Sequence, residues 1–383
     1  MPWQKTPTKV QKMRFISDWL GQEYSMSALC VRYKISRQSG YLLIKRYEDE
    51  GEAALIERSH CRHTHPNQTP TRLVKIILET KQRHLDWGAV TIQAWLKENK
   101  PEYSWPAVST VSDILNRHGL VKKRYPRRHT PPYTEPLRDC DAPNKVWSAD
   151  YKGQFKMKNE RYCYPLTITD NFSRYLFCCD GFDNIHHKSA IKSFEKVFHE
   201  YGLPDAIRTD NGYPFAGTAV GGLSSLSIWL LKLDILPERI EPGCPQQNPR
   251  HERMHRTLKA GINLNLKSSL GRQQKWFDHF LKEFNEERPH QALALKTPIT
   301  VYRKSNRSFP LTIPEVIYPD EYLIRQVKTN GEIKYFGKRY FISELLHGEP
   351  IGLEMVDDDR AIVYFGRLKL GIIDSQLNKI TRP

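Results

Sequence analysis

The chain has 383 residues, with 59 Lys+Arg against 43 Asp+Glu and a formal net charge of +16 at pH 7. That length suits roughly two to four domains, and so basic a field attracts polyanions, since neutralising phosphates supplies the bulk of nonspecific affinity for DNA. Seven cysteines with no CxxC pair argue against a disulfide-stapled fold and for a reducing compartment. The N-terminal MPWQKTPTKVQKM lacks an apolar signal core, and no run approaches the ~18 apolar residues of a membrane helix, so a soluble, cytoplasmic protein is expected.

The first predicted domain, residues 1–58, reads as a helix-turn-helix. Val10, Met13, Phe15, Ile16, Trp19 and Leu20 recur near helical spacing, and Ser25 or Ser27 can cap a short helix holding Leu29, Val31 and Tyr33. A tight connection at Lys34, Ile35 and Ser36 follows, with Ser36 placed to cap a helix over residues 37–47. In that helix Tyr41, Ile44 and Lys45 are expected against or beside the core. Arg37, Gln38, Ser39, Leu42 and Arg46 are then the candidates for contact with a DNA groove. An ordinary three-helix bundle is the competing reading.

Residues 59–70 form a linker in which His60, Cys61, His63 and His65 crowd together. With no second half to complete a zinc site, they read as part of a basic, DNA-proximal hinge. A second helical domain over 71–120 carries Leu73, Ile76, Ile77 and Leu78, then Val90, Ile92, Trp95 and Leu96, then Val108, Val111, Ile114 and Leu115. Thr91 and Ser109 or Thr110 mark expected helix starts and Gly119 an end, giving a second helix-turn-helix, a winged helix or a purely structural bundle. The stretch 121–140 is basic and proline-rich. It is too polar to bury, so Lys122, Lys123, Arg124, Arg127 and Arg128 are expected along a DNA backbone or between subunits.

From 141 to 305 the pattern turns to a mixed α/β domain. VWSADYK, CYPLTITD and YLFCCDGF read as consecutive strands, residues 188–201 as an amphipathic helix, and 206–209 as a short strand. Three carboxylates then stand out. Asp150 lies in the apolar first strand, Asp210 at the end of the short strand in RTDNGY, and Glu252 near the start of a helix expected to begin at Asn248 and Pro249. Glu252, Arg256 and Lys259 share one face of that helix, while Met254, Leu258 and Ile262 lie roughly opposite. Carboxylates in a cleft cost free energy unless charge compensates them, and two hard divalent cations would do so while clamping a phosphodiester. Arg256 and Lys259 are the matching candidates for DNA phosphates. Asp170, in TITDNFSR, reads as a structural turn, and His251 and His255 as groups facing DNA or supporting the site from behind.

Residues 285–302 read as an element closing the core. Over 320–376 the alternation in YLIRQVKTNGEIKYFGKRYFIS and PIGLEMVDDDRAIVYFGRLKLGII predicts about five short strands, expected as a small SH3-like β-barrel.

The segments WSADYKG, TDNFSRYL, RTDNGYPFA, PGCPQQNPRHERMHRTLK and NEERPHQALALKTPITVY together resemble the integrase catalytic core of the DDE superfamily, and the whole chain resembles the insertion sequence 481 branch of bacterial transposases. The resemblance implies a ribonuclease-H-like core between N-terminal helix-turn-helix modules and the C-terminal barrel, a multidomain α+β chain. It also implies Asp150, Asp210 and Glu252 as both the catalytic and the metal-binding triad, with two Mg2+ ions, or Mn2+ in their place. The activity implied is strand cleavage and strand transfer on double-stranded DNA at inverted-repeat ends, by a homodimer or larger oligomer at the bacterial nucleoid, without a membrane. An inactive relative serving as a sequence-specific regulator, or a nuclease that cuts without joining, are the alternatives.

Overall fold

The computed structural model describes residues 8–56, 68–121, 137–217, 222–357, 359–377 and 379–381. The chain divides into two compact units between Thr69 and Pro70. The linker cluster from His60 to His65 and the basic residues Lys122, Lys123, Arg124, Arg127 and Arg128 lie outside the described residues.

In the N-terminal unit α1 (Thr8–Leu20), α2 (Met26–Tyr33) and α3 (Arg37–Glu50) surround Phe15, Ile16, Leu29, Cys30, Ile44 and Leu55. The Ser25 and Ser36 side chains accept the backbone N–H groups of Ala28 and Ser39, and Lys34 turns the chain in the left-handed region at φ 55°. Tyr41 and Lys45 do not pack inward as expected; both are exposed. The reason is Gly40, where a Cβ would stand 2.5 Å from Met26 Cε and 2.9 Å from Cys30 Sγ. Because α3 approaches its neighbours through that glycine, the inward stripe runs Gly40, Leu43, Ile44 and Tyr47. Arg37, Gln38, Ser39, Leu42 and Arg46 are exposed.

The second unit opens with α4 (Thr71–Arg83), α5 (Ala89–Asn99) and α6 (Val108–Arg117), packed around Ile77, Trp87, Ile92, Leu96, Val111, Ile114 and Leu115. Thr91 and Ser109 do not start helices. They fall inside first turns that begin after Gly88 and Ala107 without a side-chain cap. Gly119, at φ 69°, ends α6 as expected, with Leu120 N–H reaching back to Leu115 C=O. No strand occurs among the described residues of 70–121, so this bundle has no wing there.

The sheet that follows has β1 (Val146–Tyr151) near its centre. β3 (Tyr162–Asp170) lies antiparallel on one side of β1, and β5 (Ala206–Thr209) then β6 (Leu236–Arg239) lie parallel on the other. β2 (Phe155–Lys156) and β4 (Leu176–Phe182) both pair with β3. α7 (His187–Tyr201) and α8 (Ser225–Lys232) cover one face through Phe194, Val197, Phe198, Leu226 and Leu230, against Trp147, Ala149, Leu166 and Ile168. α9 (Pro249–Leu264) and α10 (Leu270–Lys282) cover the other through Met254, Leu258, Ile262, Phe277 and Phe280. A turn of π-helix, Glu283–Glu287, extends α10, and its Glu283 meets His84 Nδ1 at 2.7 Å while Arg288 pairs with Asp86. The short α11 (Pro298–Val301) follows, and nearby Tyr302 closes the first core.

The C-terminal strands form an antiparallel sheet in the order β13 (Lys379–Thr381), β12 (Leu368–Asp374), β11 (Arg360–Phe365), β10 (Pro350–Met355), β7 (Leu323–Gln326), with β8 (Glu332–Tyr335) and β9 (Lys338–Phe341) as a separate hairpin. There are seven strands rather than about five, and their pairing leaves an open sheet rather than a closed barrel among the described residues. The hairpin packs by its side chains, with Ile333, Tyr335, Tyr340 and Ile342 in the same core as Ile351, Leu353 and Val363. Leu223, Ile228 and Leu231 enter that core too, so α8 is apolar on both sides: one side belongs to the central domain and the other to the C-terminal sheet.

Candidate active site

The site is built from two parallel strands and one helix start. Val146 pairs with Ala206 and Ser148 with Arg208, so Asp150 and Asp210 leave adjacent parallel strands at the same end of the sheet. Ligand sites in α/β sheets form at such strand ends. Strand alternation turns Trp147 and Ala149 into the apolar core and leaves Ser148 and Asp150 on the face covered by α9. Glu252 sits in the first turn of α9, exposed, with Arg256 and Lys259 exposed on the same flank.

One hydrogen-bond network fixes this helix start against β1. The Asn248 side chain does not cap α9 as expected. Its Oδ1 accepts a bond from Ser148 Oγ at 2.8 Å, and Ser148 Oγ in turn accepts one from Asn171 Nδ2 at 2.8 Å, all within the interior. Arg250 Nη1 adds bonds to the carbonyls of Asn171 (2.8 Å) and Cys140 (3.3 Å). Since Ser148 and Asn248 are tied, Asp150 and Glu252 a short way along each element are held in register. Pro249 occupies the first helical position, where its missing N–H has no intrahelical role.

The electrostatics follow from this crowding. Burial first, and then the negative charges of Asp210 and Glu252, together push the Asp150 carboxyl up to about 8, against a smaller opposing pull from Lys152. Neither Asp210 nor Glu252 has an ion-pair partner among the described residues. With only the smaller pull of Lys152 on Asp150 and no ion pair to the other two, the three are oxygen donors with an excess of negative charge, which suits a hard divalent cation. Asp170, the other carboxylate read from the sequence, is engaged differently: it is buried and accepts bonds from Ser173 N–H (2.7 Å), Ser173 Oγ (2.6 Å) and Asn144 N–H (3.0 Å), a turn that spends its acceptors on structure.

Two features escaped the sequence reading. Gly212 has no positive φ, but a Cβ there would stand 2.9 Å from Asp210 Oδ2, whose partner Oδ1 accepts the Gly212 N–H at 3.0 Å. The glycine makes room for the carboxylate. Of the two settings expected for them, His251 and His255 take the one behind the site, 1% and 2% exposed between α9 and β3, but the threonines they meet there could not be foreseen. Both contact the Thr167 hydroxyl, and His255 Nδ1 lies 3.5 Å from Asp150 Oδ2. Asp150, His251 and His255 are close enough together to hold a metal ion. Both His251 nitrogens, however, are already bound to threonine hydroxyls, at 3.0 and 2.7 Å, so oxygen donors make the better set.

Two outcomes follow. Because the Asp150 carboxyl in the fold titrates near 8 rather than its ordinary 3.8, the folded metal-free chain holds a proton between about pH 4 and pH 8 that the unfolded chain has lost, and stability falls as pH rises through that window. Asp150→Asn should therefore unfold at a higher temperature than the parent at pH 8 and with little difference at pH 4 in calorimetry; an equal gap at both pH values would contradict the shift. Gly212→Ala should keep the parent's unfolding temperature yet lose about tenfold or more in divalent-cation affinity by titration calorimetry. Unchanged affinity would show that the space beside Asp210 is not needed.

Residues 141–245 match the integrase core domain family, residues 233–298 match a second family of the same description, and residues 39–115 match a homeodomain-like domain. The chain is 26% identical over 179 residues to an uncharacterized 31.7 kDa protein of insertion element IS407 from Burkholderia multivorans, covering 46% of this chain and 62% of that one. It is 24% identical over 240 residues to an uncharacterized 39.2 kDa protein of insertion element IS476 from Xanthomonas euvesicatoria, covering 62% and 66%. The chain thus spans 62% and 66% of the lengths of these relatives. Among solved structures, the simian T-cell lymphotropic virus intasome in complex with PP2A regulatory subunit B56 gamma aligns at a TM-score of 0.38 and 19% identity, covering 78% of this chain and 97% of that one. The stretch 141–298, which carries Asp150, Asp210 and Glu252, is similar in sequence to integrase core domains.

Proposed function

We propose that this chain is a DNA transposase of a bacterial insertion sequence, a polynucleotidyl transferase that cuts DNA at terminal inverted repeats and joins the freed ends to target DNA. The observation that carries the reading is the placement of Asp150, Asp210 and Glu252 at one end of the sheet, near enough for the charges of the last two to act on the first, within the stretch similar to integrase cores. The insertion-element relatives and the homeodomain-like match support the same reading, and the branch proposed is that of insertion sequence 481, on the motifs WSADYKG, RTDNGYPFA and PGCPQQNPRHERMHRTLK.

Asp150, Asp210 and Glu252 would hold two Mg2+ ions, or Mn2+; bound there, the cations would supply charge stabilisation to the entering and leaving oxygens of a phosphodiester. The chain's own part is to position. Arg256 and Lys259, exposed beside Glu252, bind the phosphates that flank the scissile one. The 3′-hydroxyl freed by hydrolysis is the nucleophile of the joining step, so no Ser, Cys or Tyr side chain has to form a covalent intermediate. Arg37, Gln38, Ser39, Leu42 and Arg46 on the solvent side of α3 read the repeat, and Lys122, Lys123, Arg124, Arg127 and Arg128 follow the backbone. The C-terminal strands contact DNA or a neighbouring subunit. Pairing two ends calls for a homodimer or larger oligomer, acting at the nucleoid. No described helix is long and apolar enough to cross a membrane.

The test is strand transfer on labelled ends from the gene's own locus with Mg2+ or Mn2+. Asp150→Asn and Glu252→Gln should each lose about a thousandfold or more in cleavage and joining while keeping end binding. Arg256→Ala with Lys259→Ala should weaken DNA binding and flatten its dependence on the logarithm of salt concentration by about two. Specific end binding without any metal-dependent cleavage by the parent protein would instead mark a DNA-binding regulator.

A further inference from the structure

Behind the carboxylate site lies a chain of buried polar groups that the proposed reaction does not itself use. Thr169 Oγ1 is 2.7 Å from His251 Nδ1, His251 Nε2 is 3.0 Å from Thr167 Oγ1, Thr167 Oγ1 is 2.7 Å from His255 Nε2, and His255 Nδ1 is 3.5 Å from Asp150 Oδ2. Both threonines and both histidines are buried, with Thr167 fully so. Buried polar groups need partners, and these supply one another.

The donors and acceptors can be assigned from chemistry. As a cation ligand Asp150 is ionised and only accepts, so the proton on the His255 nitrogen that faces it lies on Nδ1. In a neutral ring with that proton on Nδ1, Nε2 is a bare acceptor, and it lies 2.7 Å from Thr167 Oγ1. The hydroxyl of Thr167 fills it. The same hydroxyl also lies 3.1 Å from the Asp150 carbonyl, but antiparallel pairing of Asp150 with Thr167 already gives that carbonyl a backbone partner, and the shorter 2.7 Å contact is to His255. Having donated to His255, Thr167 Oγ1 accepts from His251 Nε2–H. With its proton on Nε2, a neutral His251 leaves Nδ1 to accept from Thr169 Oγ1–H. The result is a head-to-tail series in which each group points a proton toward Asp150, anchored on alternate residues of β3 and successive turns of α9.

We infer that His255 is a positioning residue for Asp150, held in its Nδ1–H form by Thr167 and through it by His251 and Thr169, and that it orients the Asp150 carboxylate for a divalent cation. The inference rests on the reading of Asp150 as a cation ligand. His255 takes no part as a ligand or a base; it fixes which way the carboxylate faces, as a hydrogen-bonded neighbour commonly does for a ligating side chain. At 3.5 Å the last link is longer than the other three, as contacts in a site without its ligand commonly are before they tighten.

Two readouts test this on the full chain without relying on catalysis. Long-range 1H–15N spectra of the 15N-histidine-labelled protein in saturating Mg2+ should give His255 as the Nδ1–H form and His251 as the Nε2–H form, each assigned by its loss in a variant; the reverse assignment or an imidazolium overturns the proposal. Titration of Mn2+ followed by electron paramagnetic resonance should show His255→Phe binding about tenfold or more weakly than the parent. His255→Asn, whose amide N–H takes the place of Nδ1–H, should stay within about threefold. Thr167→Val keeps the strand's shape and should weaken binding in the same direction, which covers the case of a His255→Phe chain that fails to fold. Equal binding by parent and His255→Phe, or equal loss in the Phe and Asn variants, overturns the positioning role while leaving the carboxylate site intact. A parent chain that binds no Mn2+ overturns both this inference and the cation-site reading beneath it.

Discussion

The constraint on which the rest of the central domain depends is the placement of Asp150, Asp210 and Glu252 at one end of the sheet, where the charges of the last two act on the buried Asp150 carboxyl. Mutual repulsion and burial both oppose the arrangement, as the raised titration of Asp150 records. Such a group persists only where rigid elements over-determine it, and here two of its members stand at the ends of paired parallel strands while the third sits on a helix start.

Helix α9 carries this burden by presenting different chemistry around its circumference. Met254, Leu258 and Ile262 enter an apolar core, His251 and His255 meet the threonines of β3, and Glu252, Arg256 and Lys259 face outward. Its entry is tied to β1 by the buried Asn248–Ser148–Asn171 series, so the position of Glu252 follows from the strand that carries Asp150. On the opposite face of the sheet, α8 is shared between two apolar cores and joins the C-terminal strands to the central domain. Lys232 of α8 also pairs with Glu349 across that junction.

Much of this was legible in the sequence where a local signal existed. Apolar strand patterns located β1, β3 and β4, and the heptad-like stripe of α7 and the serine caps of α2 and α3 were read from neighbours a few residues apart. What was missed depends on long-range packing. α8, SLSIWLLK, has no amphipathic period because both of its sides are buried, and β6, LPER, is too short and polar to signal a strand. Tyr41 and Lys45 were assigned inward because a glycine carries no hydrophobic signal, although Gly40 is the point of closest approach. The alternation that announces C-terminal strands says nothing about whether their sheet closes. Likewise the spacing of Thr167 and Thr169 on a strand, and of His251 and His255 on a helix, was plain, but not that the two pairs meet.

The measurement that tests the central claim most directly is the position of a bound cation. Crystals of the full chain soaked in Mn2+ and measured for anomalous scattering should give density among Asp150, Asp210 and Glu252, coordinated by their oxygens. Density confined to Asp150 and the His251 and His255 nitrogens, or density away from the three carboxylates, would contradict the account.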